Sequence, residues 1–158
     1  MKIVIGFLAA LVITLFSYIG FTRAAVETKP TQTVNQVKSF TEAGLWSLIQ
    51  EWRNTNNLGS YIEDQRLCDI ATIRADEQGR SGKLDDHRGF HARYDNSPYF
   101  LSENSVLCNR NVCANEDILM DWISSPSHAK ALTAPYKYSC LRCEGNVCDQ
   151  IFSNFLTN

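Results

Sequence analysis

Six cysteines stand behind an apolar N-terminal run, and that combination constrains this chain more than any other feature. Met1-Lys2 gives a short positive start. Ile3 to Phe21 is then almost unbroken apolar sequence, interrupted only by Gly6, Thr14, Ser17, Tyr18 and Gly20. Thr22 and Ala24 flank Arg23 ahead of a cut after Ala24, the small-residue pattern of a secretion signal. The run exceeds the roughly 7–15 residues of a usual signal core and approaches the roughly 20 that span a bilayer. Cleavage of residues 1–24 as a signal peptide and retention of residues 3–21 as a membrane tether therefore both stay open. Either way the remainder is expected outside the cytoplasm, whether secreted, periplasmic or anchored at the membrane. Cys68, Cys108, Cys113, Cys140, Cys143 and Cys148 all lie in that exported part. An even count behind an export signal favours disulfides over thiolate metal sites or a redox pair.

A chain of 158 residues suits one ordinary domain. At 44% hydrophobic and 20% charged it has material for a real core, which argues against disorder and against a bare disulfide knot. Residues 1–24 hold Lys2 and Arg23 and no acid, so the rest sets 13 basic side chains against 17 acidic ones. With no basic stripe to meet a phosphate backbone, nucleic acid is not an expected partner.

Glu27 to Lys38 is polar, carries Pro30 and shows no period, so residues 25–38 read as a linker before a domain over 39–158. Ser39-Phe40-Thr41-Glu42 has capping-box spacing, and Leu45, Trp46, Leu48, Ile49 and Trp52 form a helical stripe that ends at Asn54 to Gly59. A second helix is expected from about Asp64 to Gln78. Residues 80–107 read as loop-rich, with weak strand signals near Tyr94 to Tyr99 and Asn104 to Leu107. A third helix opens at Asn115. Ser125-Pro126 reads as a cap with proline at the first position of a short helix to Leu132. The three tryptophans, Trp46, Trp52 and Trp122, fall on apolar helix faces and read as core.

Two alternating segments flank Glu144-Gly145-Asn146 and predict a β-hairpin. A two-residue turn at Gly145-Asn146 sets Cys143 opposite Cys148, where a cross-strand disulfide is geometrically reasonable. Cys108 and Cys113 bracket four residues and can staple their own loop. By elimination Cys68 is left for Cys140, one of fifteen connectivities that six cysteines permit.

Read in order, several short pieces resemble the CAP superfamily, also called the SCP or cysteine-rich secretory, antigen 5 and pathogenesis-related domain, in its bacterial form. They are Gln50-Glu51-Trp52-Arg53; Leu67, Ala71, Arg74 and Ala75 on the second helix; His87-Arg88-Gly89-Phe90 with Arg93; Ser102-Glu103-Asn104; Trp122 through Ser125-Pro126-Ser127-His128; and Gln150-Ile151-Phe152. The resemblance covers about residues 42–156. The resemblance implies an α+β fold, a three-layer α-β-α sandwich with a central antiparallel sheet. It also implies a cleft that gathers His87 and Glu103, with His128 beside them. Ser102 and Ser127 replace glycines of the family pattern, and Ala129 replaces a basic residue. Eukaryotic relatives can hold a metal with two histidines and two glutamates; the second glutamate and the later histidine fall here on Ser125 and Val147. A zinc site is therefore not expected, with His87 and His128 the ligands if a metal binds.

A histidine titrates near neutral pH, and a carboxylate can orient it or share its proton. His87, Glu103 and His128 are thus the cleft candidates, set against the plainer expectation that Glu103 accepts main-chain hydrogen bonds in a tight loop and His128 merely opens a helix. His91 follows His87 by four residues, but Gly89 argues against a helix there, so His91 is expected in solvent. Ser102, Ser125 and Ser127 lack a nucleophile-elbow pattern. No catalytic residue is assigned. The expectation is a non-enzymatic exported module that binds a small apolar or lipid-like ligand, or an envelope or extracellular protein. The alternative is a peptidase-like hydrolase with a histidine base oriented by Glu103.

Overall fold

The computed structural model describes residues 40–108 and 113–155. The expected signal or anchor over 1–24, the linker and Ser39 lie outside them. Helix α1 covers Glu42–Thr55. Its cap is Thr41, whose hydroxyl accepts from the Gly44 N–H at 3.1 Å. Glu42 in the first turn and Arg53 in the last suit the helix dipole. The cap thus sits two residues later than the Ser39 spacing indicated. Strand β1 is only Ile62–Glu63. Helix α2, Gln65–Ser81, starts on the Asp64 carboxylate and stops at Gly82, whose φ of 65° few side-chain-bearing residues adopt.

Three features correct the expectations. Residues 88–94 form a helix, α3 (Arg88–Tyr94), where a loop was expected. The weak strand signal over 94–99 belongs to the end of α3 and a turn closed by the Ser97 N–H on the Tyr94 carbonyl. The strand β2 occupies Phe100–Leu107 instead. Gly89 misled the reading because it is there for space: a Cβ at that position would collide with the Arg74 guanidinium and the Asp85 carboxylate. It serves close packing inside a helix rather than helix termination.

Helices α4 (Asn115–Ser124) and α5 (Pro126–Thr133) follow, the second with Pro126 in its first turn. Strands β3 (Tyr138–Glu144) and β4 (Val147–Asn154) then form the expected hairpin. Its turn holds Gly145 at a φ of 57°, and Cys143 pairs with Cys148.

The sheet order is β1-β3-β4-β2. β2, β4 and β3 are antiparallel, but β1 runs parallel to β3, so the sheet is mixed rather than purely antiparallel. β1 follows α1 directly and joins the outer edge of β3 through the Ile62 N–H on the Lys137 carbonyl. It is too short to dictate its own hairpin.

Alternation along the strands sends side chains into two cores. Leu141, Cys148 and Phe152 pack with Leu45, Ile49, Ile118, Trp122 and Leu132 from α1, α4 and α5. Cys140 and Ile151 face the other way, onto Leu67, Cys68 and Ala71 of α2 and Phe90 of α3. The described residues therefore stack helix, sheet and helix. Trp122 is buried, and Trp46 and Trp52 pack against the same cluster, as core residues should.

The disulfides are Cys68–Cys140, Cys108–Cys113 and Cys143–Cys148, the pairing reached by elimination. The first fastens α2 to β3. On the opposite side Arg53, fully buried, donates to the carbonyls of Leu58, Gly59 and Leu132 and to the Tyr61 hydroxyl. It ties the end of α1 to α5 and leaves its charge well solvated by protein oxygens.

Candidate functional site

β2 lies at the edge of the sheet, so both helical layers reach its open side. Glu103 stands in mid-strand on the face toward α2 and α3, opposite Ile151. His87 caps α3 in a left-handed conformation, φ 62°, directly after Asp86 at φ 54°. Two successive side-chain-bearing residues in that region cost of order 1–3 kcal/mol each, and such strain tends to gather at functional sites. His128 comes from the opposite layer, in the first turn of α5. Asn104 holds that turn by donating to the His128 carbonyl at 3.2 Å.

The three candidate residues converge. His87 Nδ1 lies 2.6 Å from Glu103 Oε2, and the two imidazole centres are 6.1 Å apart, edge to face. The expectation that Glu103 accepts main-chain bonds in a loop is not met. Its partners are side chains, because strand alternation turns its carboxylate inward onto α2.

The other partner is Arg74, which the resemblance named but chemistry had not singled out. Arg74 Nε donates to Glu103 Oε1 at 2.7 Å; its two other nitrogens meet Asp85 at 2.8 Å and Glu77 at 3.0 Å. Burial works against its charge, but Asp85 and Glu103 more than compensate and raise its pKa further. Asp85 also accepts the Gly89 N–H at 2.8 Å and so anchors the start of α3. Burial raises the Asp85 pKa, and the Arg74 hydrogen bond leads the effects that leave it lower.

Beneath Glu103 sits a fourth carboxyl that sequence reasoning missed. Asp149 of β4 is fully buried. Its Oδ2 accepts from Gln78 Nε2 at 2.6 Å and from the Ser105 hydroxyl at 2.9 Å. Its Oδ1 has no donor among the described residues. Burial, and then the charge of Glu103, push its pKa well above the usual carboxylate range. Burial and the Glu103 charge thus favour the protonated form of Asp149, which leaves one carboxyl oxygen without a donor among the described residues. The available signal was an acidic residue inside the strand segment Val147–Phe152, whose other side chains are apolar save Gln150, a placement that demands a partner.

Burial would raise the Glu103 pKa, but hydrogen bonds from His87 and Arg74, with Asp149 adding to them, hold it low. The Glu103 bond in turn raises His87 above the ordinary histidine value, despite partial burial and the nearby Arg74. His128 goes the other way, lowered by burial and then by the charge on His87. The cleft therefore opposes an imidazole biased toward its charged form to one biased toward its neutral form.

An opening of about 220 Å³ lies over this group, lined by His87, Phe90, Leu101, Glu103, Ser127 and His128. A second, of about 270 Å³, adjoins it through Phe90, His91 and Leu101. His91 is exposed and paired with Asp95 at 2.8 Å, as its solvent placement predicted. His87 precedes α3, so the two do not form a helical ligand pair.

A four-residue metal pocket does not fit. Val147 is buried in β4 and has no donor side chain, and the Ser125 hydroxyl bonds to that of Ser127 at 3.2 Å. His87 Nε2 and the His128 ring are the nitrogens left for a metal. Elsewhere Glu63, Cys68 and Cys140 cluster, but the sulfurs are joined to each other. Among the described residues no serine hydroxyl is hydrogen-bonded to either histidine ring of the cleft.

No family model and no curated protein sequence matches this chain. Solved structures do. A cysteine-rich secretory protein from Staphylococcus aureus aligns with a TM-score of 0.56 at 17% identity, over 71% of this chain and 37% of its own. An extracellular protein containing an SCP domain from Bacillus anthracis gives 0.58 at 16% identity, over 72% and 40%. An outer surface protein from Borrelia burgdorferi gives 0.55 at 21% identity, over 70% and 89%. This chain thus spans well under half the length of two of them and most of the third. The helix-sheet-helix layers, the mixed sheet and these likenesses together give the chain the CAP, or SCP, fold.

Proposed function

We propose that this is an exported, non-enzymatic binding module that uses the His87–Glu103–His128 cleft to hold an envelope or extracellular partner. The observation that carries the reading is the strained His87, clamped by a carboxylate that Arg74 fixes from behind. Such a constellation presents a positioned imidazole to the outside, with no serine hydroxyl hydrogen-bonded to it among the described residues. The three disulfides support an oxidising location. Among the described residues no helix is long and apolar enough to cross a membrane, so a tether would be supplied by residues 3–21.

The His87, Glu103 and His128 side chains in the cleft favour a partner's polar surface over a whole lipid chain, since small-molecule pockets are mainly apolar. The test is binding of the purified oxidised chain to the producing cell's envelope and secreted fractions, with His87→Ala and Glu103→Gln compared at matched folding. Loss of binding in both supports the cleft; unchanged binding places the function elsewhere. A broad peptide and ester panel, with and without Zn²⁺, addresses the hydrolase alternative, and turnover abolished by His87→Ala would favour it.

A further inference from the structure

Among the described residues β2 pairs with β4 on one side and with no strand on the other. Its backbone directions follow from two hydrogen bonds. The Cys108 N–H donates to the Asn146 carbonyl, so even-numbered residues here turn toward β4. The Ser105 carbonyl accepts from the Trp122 indole at 3.3 Å, so odd-numbered residues turn away. At Ser105 that outward edge is covered. Two and four residues earlier it is open: among the described residues no hydrogen bond takes up the main-chain groups of Glu103 or Leu101. Both residues line the cleft.

The open edge is thus the floor of a groove. One wall is α3, with His87 and Phe90; the other is the start of α5, with Ser127 and His128. The groove runs on into the adjoining opening, lined by Phe90, Tyr94, Tyr99 and Phe100. Phe100 is 79% exposed at the very start of the edge strand. An uncovered edge with an exposed aromatic is a pairing hazard unless something occupies it.

We propose that the groove takes an extended peptide segment, which adds a strand to β2 at Leu101–Glu103 and sets an apolar side chain against Phe90, Tyr94 and Phe100 and a carboxylate against His87. This deepens the binding function proposed above and rests on it. Alternating main-chain donors and acceptors at strand spacing match a peptide backbone, whereas a hydrocarbon chain would leave them unsatisfied. Charge complementarity selects the carboxylate. His87 spends Nδ1 on an ionised Glu103 and has Nε2 left at the cleft, on a side chain that is 34% exposed.

The experiment titrates the oxidised full chain with fluorescein-labelled heptapeptides of alternating Thr and Val, one position varied through the apolar residues, by fluorescence anisotropy. Each is made as free acid, as C-terminal amide and with an internal Glu. We expect saturable binding by a subset, with a carboxylate-bearing form about tenfold tighter than its uncharged counterpart. Whether the terminal or the internal carboxylate gives the gain identifies its source. N-methylation of the bound peptide at alternate residues should abolish binding in one parity and spare it in the other. Leu101→Pro removes the outward N–H together with a side chain packed beside Phe90 and Ile151, so it is compared with Leu101→Ala, which keeps the N–H; the proline variant should bind tenfold or more weaker than the alanine variant. Should the proline variant misfold, the N-methyl series on the wild-type chain decides. Binding by no peptide, or equal tolerance of N-methylation in both parities, overturns the inference. If envelope binding still depends on His87 in that event, the cleft function stands and only the peptide is wrong.

Discussion

His87 Nδ1 and Glu103 Oε2 lie 2.6 Å apart, joining a helix cap in a left-handed conformation to the middle of an edge strand. The pair depends on both layers of the fold and gives stability a definite pH profile. His87 has a raised pKa, so its contribution is full below about 6.5 and fades as pH climbs through the folded value. Glu103 has a lowered pKa, so its contribution is present above 4.5 and fades as pH falls through the folded value. Both act together between those limits. The difference in thermal melting between the wild-type chain and His87→Gln should be largest there. His87→Gln should reduce the alkaline decline and also weaken the acid limb, to which Arg74 still contributes; an unchanged alkaline limb would count against the pairing.

Arg74 is a buried guanidinium that faces Glu103, Asp85 and Glu77. Arg74→Met should cost about 3–5 kcal/mol in denaturant titration, because it strands a buried carboxylate. Arg74→Lys should recover only part of this, since an ammonium cannot present the same fork. Full rescue by lysine would show that geometry matters less than charge.

Asp149 responds with the opposite sign from Glu103. Its raised pKa means that its share of stability is present below the unfolded value and fades as pH rises through the folded one. Asp149→Asn keeps an acceptor for Gln78 and supplies a donor toward Glu103, so it should fold at least as stably at neutral pH. Asp149→Ala leaves both neighbours short of a partner and should cost about 1–3 kcal/mol. Equal losses in the two variants would remove the proton assigned to Asp149.

The Cys68–Cys140 bridge spans 72 residues, whereas the other two each span 5. Loop-closure entropy assigns about 4 kcal/mol to a bridge of the longer kind and about 2 kcal/mol to the shorter ones. Paired alanine substitutions, compared by denaturant midpoint, should therefore rank Cys68/Cys140 as the costliest loss. A shorter bridge ranking first would mean that local strand geometry outweighs chain connectivity.

Much of this architecture is legible before the coordinates because its signals are local. Gly145-Asn146 between two alternating segments specifies the hairpin and, through register, the Cys143–Cys148 bond. Pro126 marks the start of α5 by the same kind of local rule. What escapes is non-local. Gly89 looks like a helix breaker until Arg74 and Asp85 are seen filling the space where its side chain would be. β1 joins the sheet as two residues, too few to show a period, and its parallel sense comes from where α1 delivers it. The histidines and Glu103 announce themselves as chemistry. Asp149 and Arg74 show their roles only when alternation along β4 and the face of α2 are brought together.

The central claim is that His87 and His128 share one cleft in which Glu103 favours the charged form of the first and burial favours the neutral form of the second. Nitrogen-15 NMR titration of the imidazoles, in the wild-type chain and in Glu103→Gln, tests it most directly. The account predicts that His87 titrates above the ordinary histidine value, that His128 titrates below it, and that Glu103→Gln lowers His87. Two histidines titrating alike at the free value, or a His87 indifferent to the loss of the Glu103 charge, would contradict it.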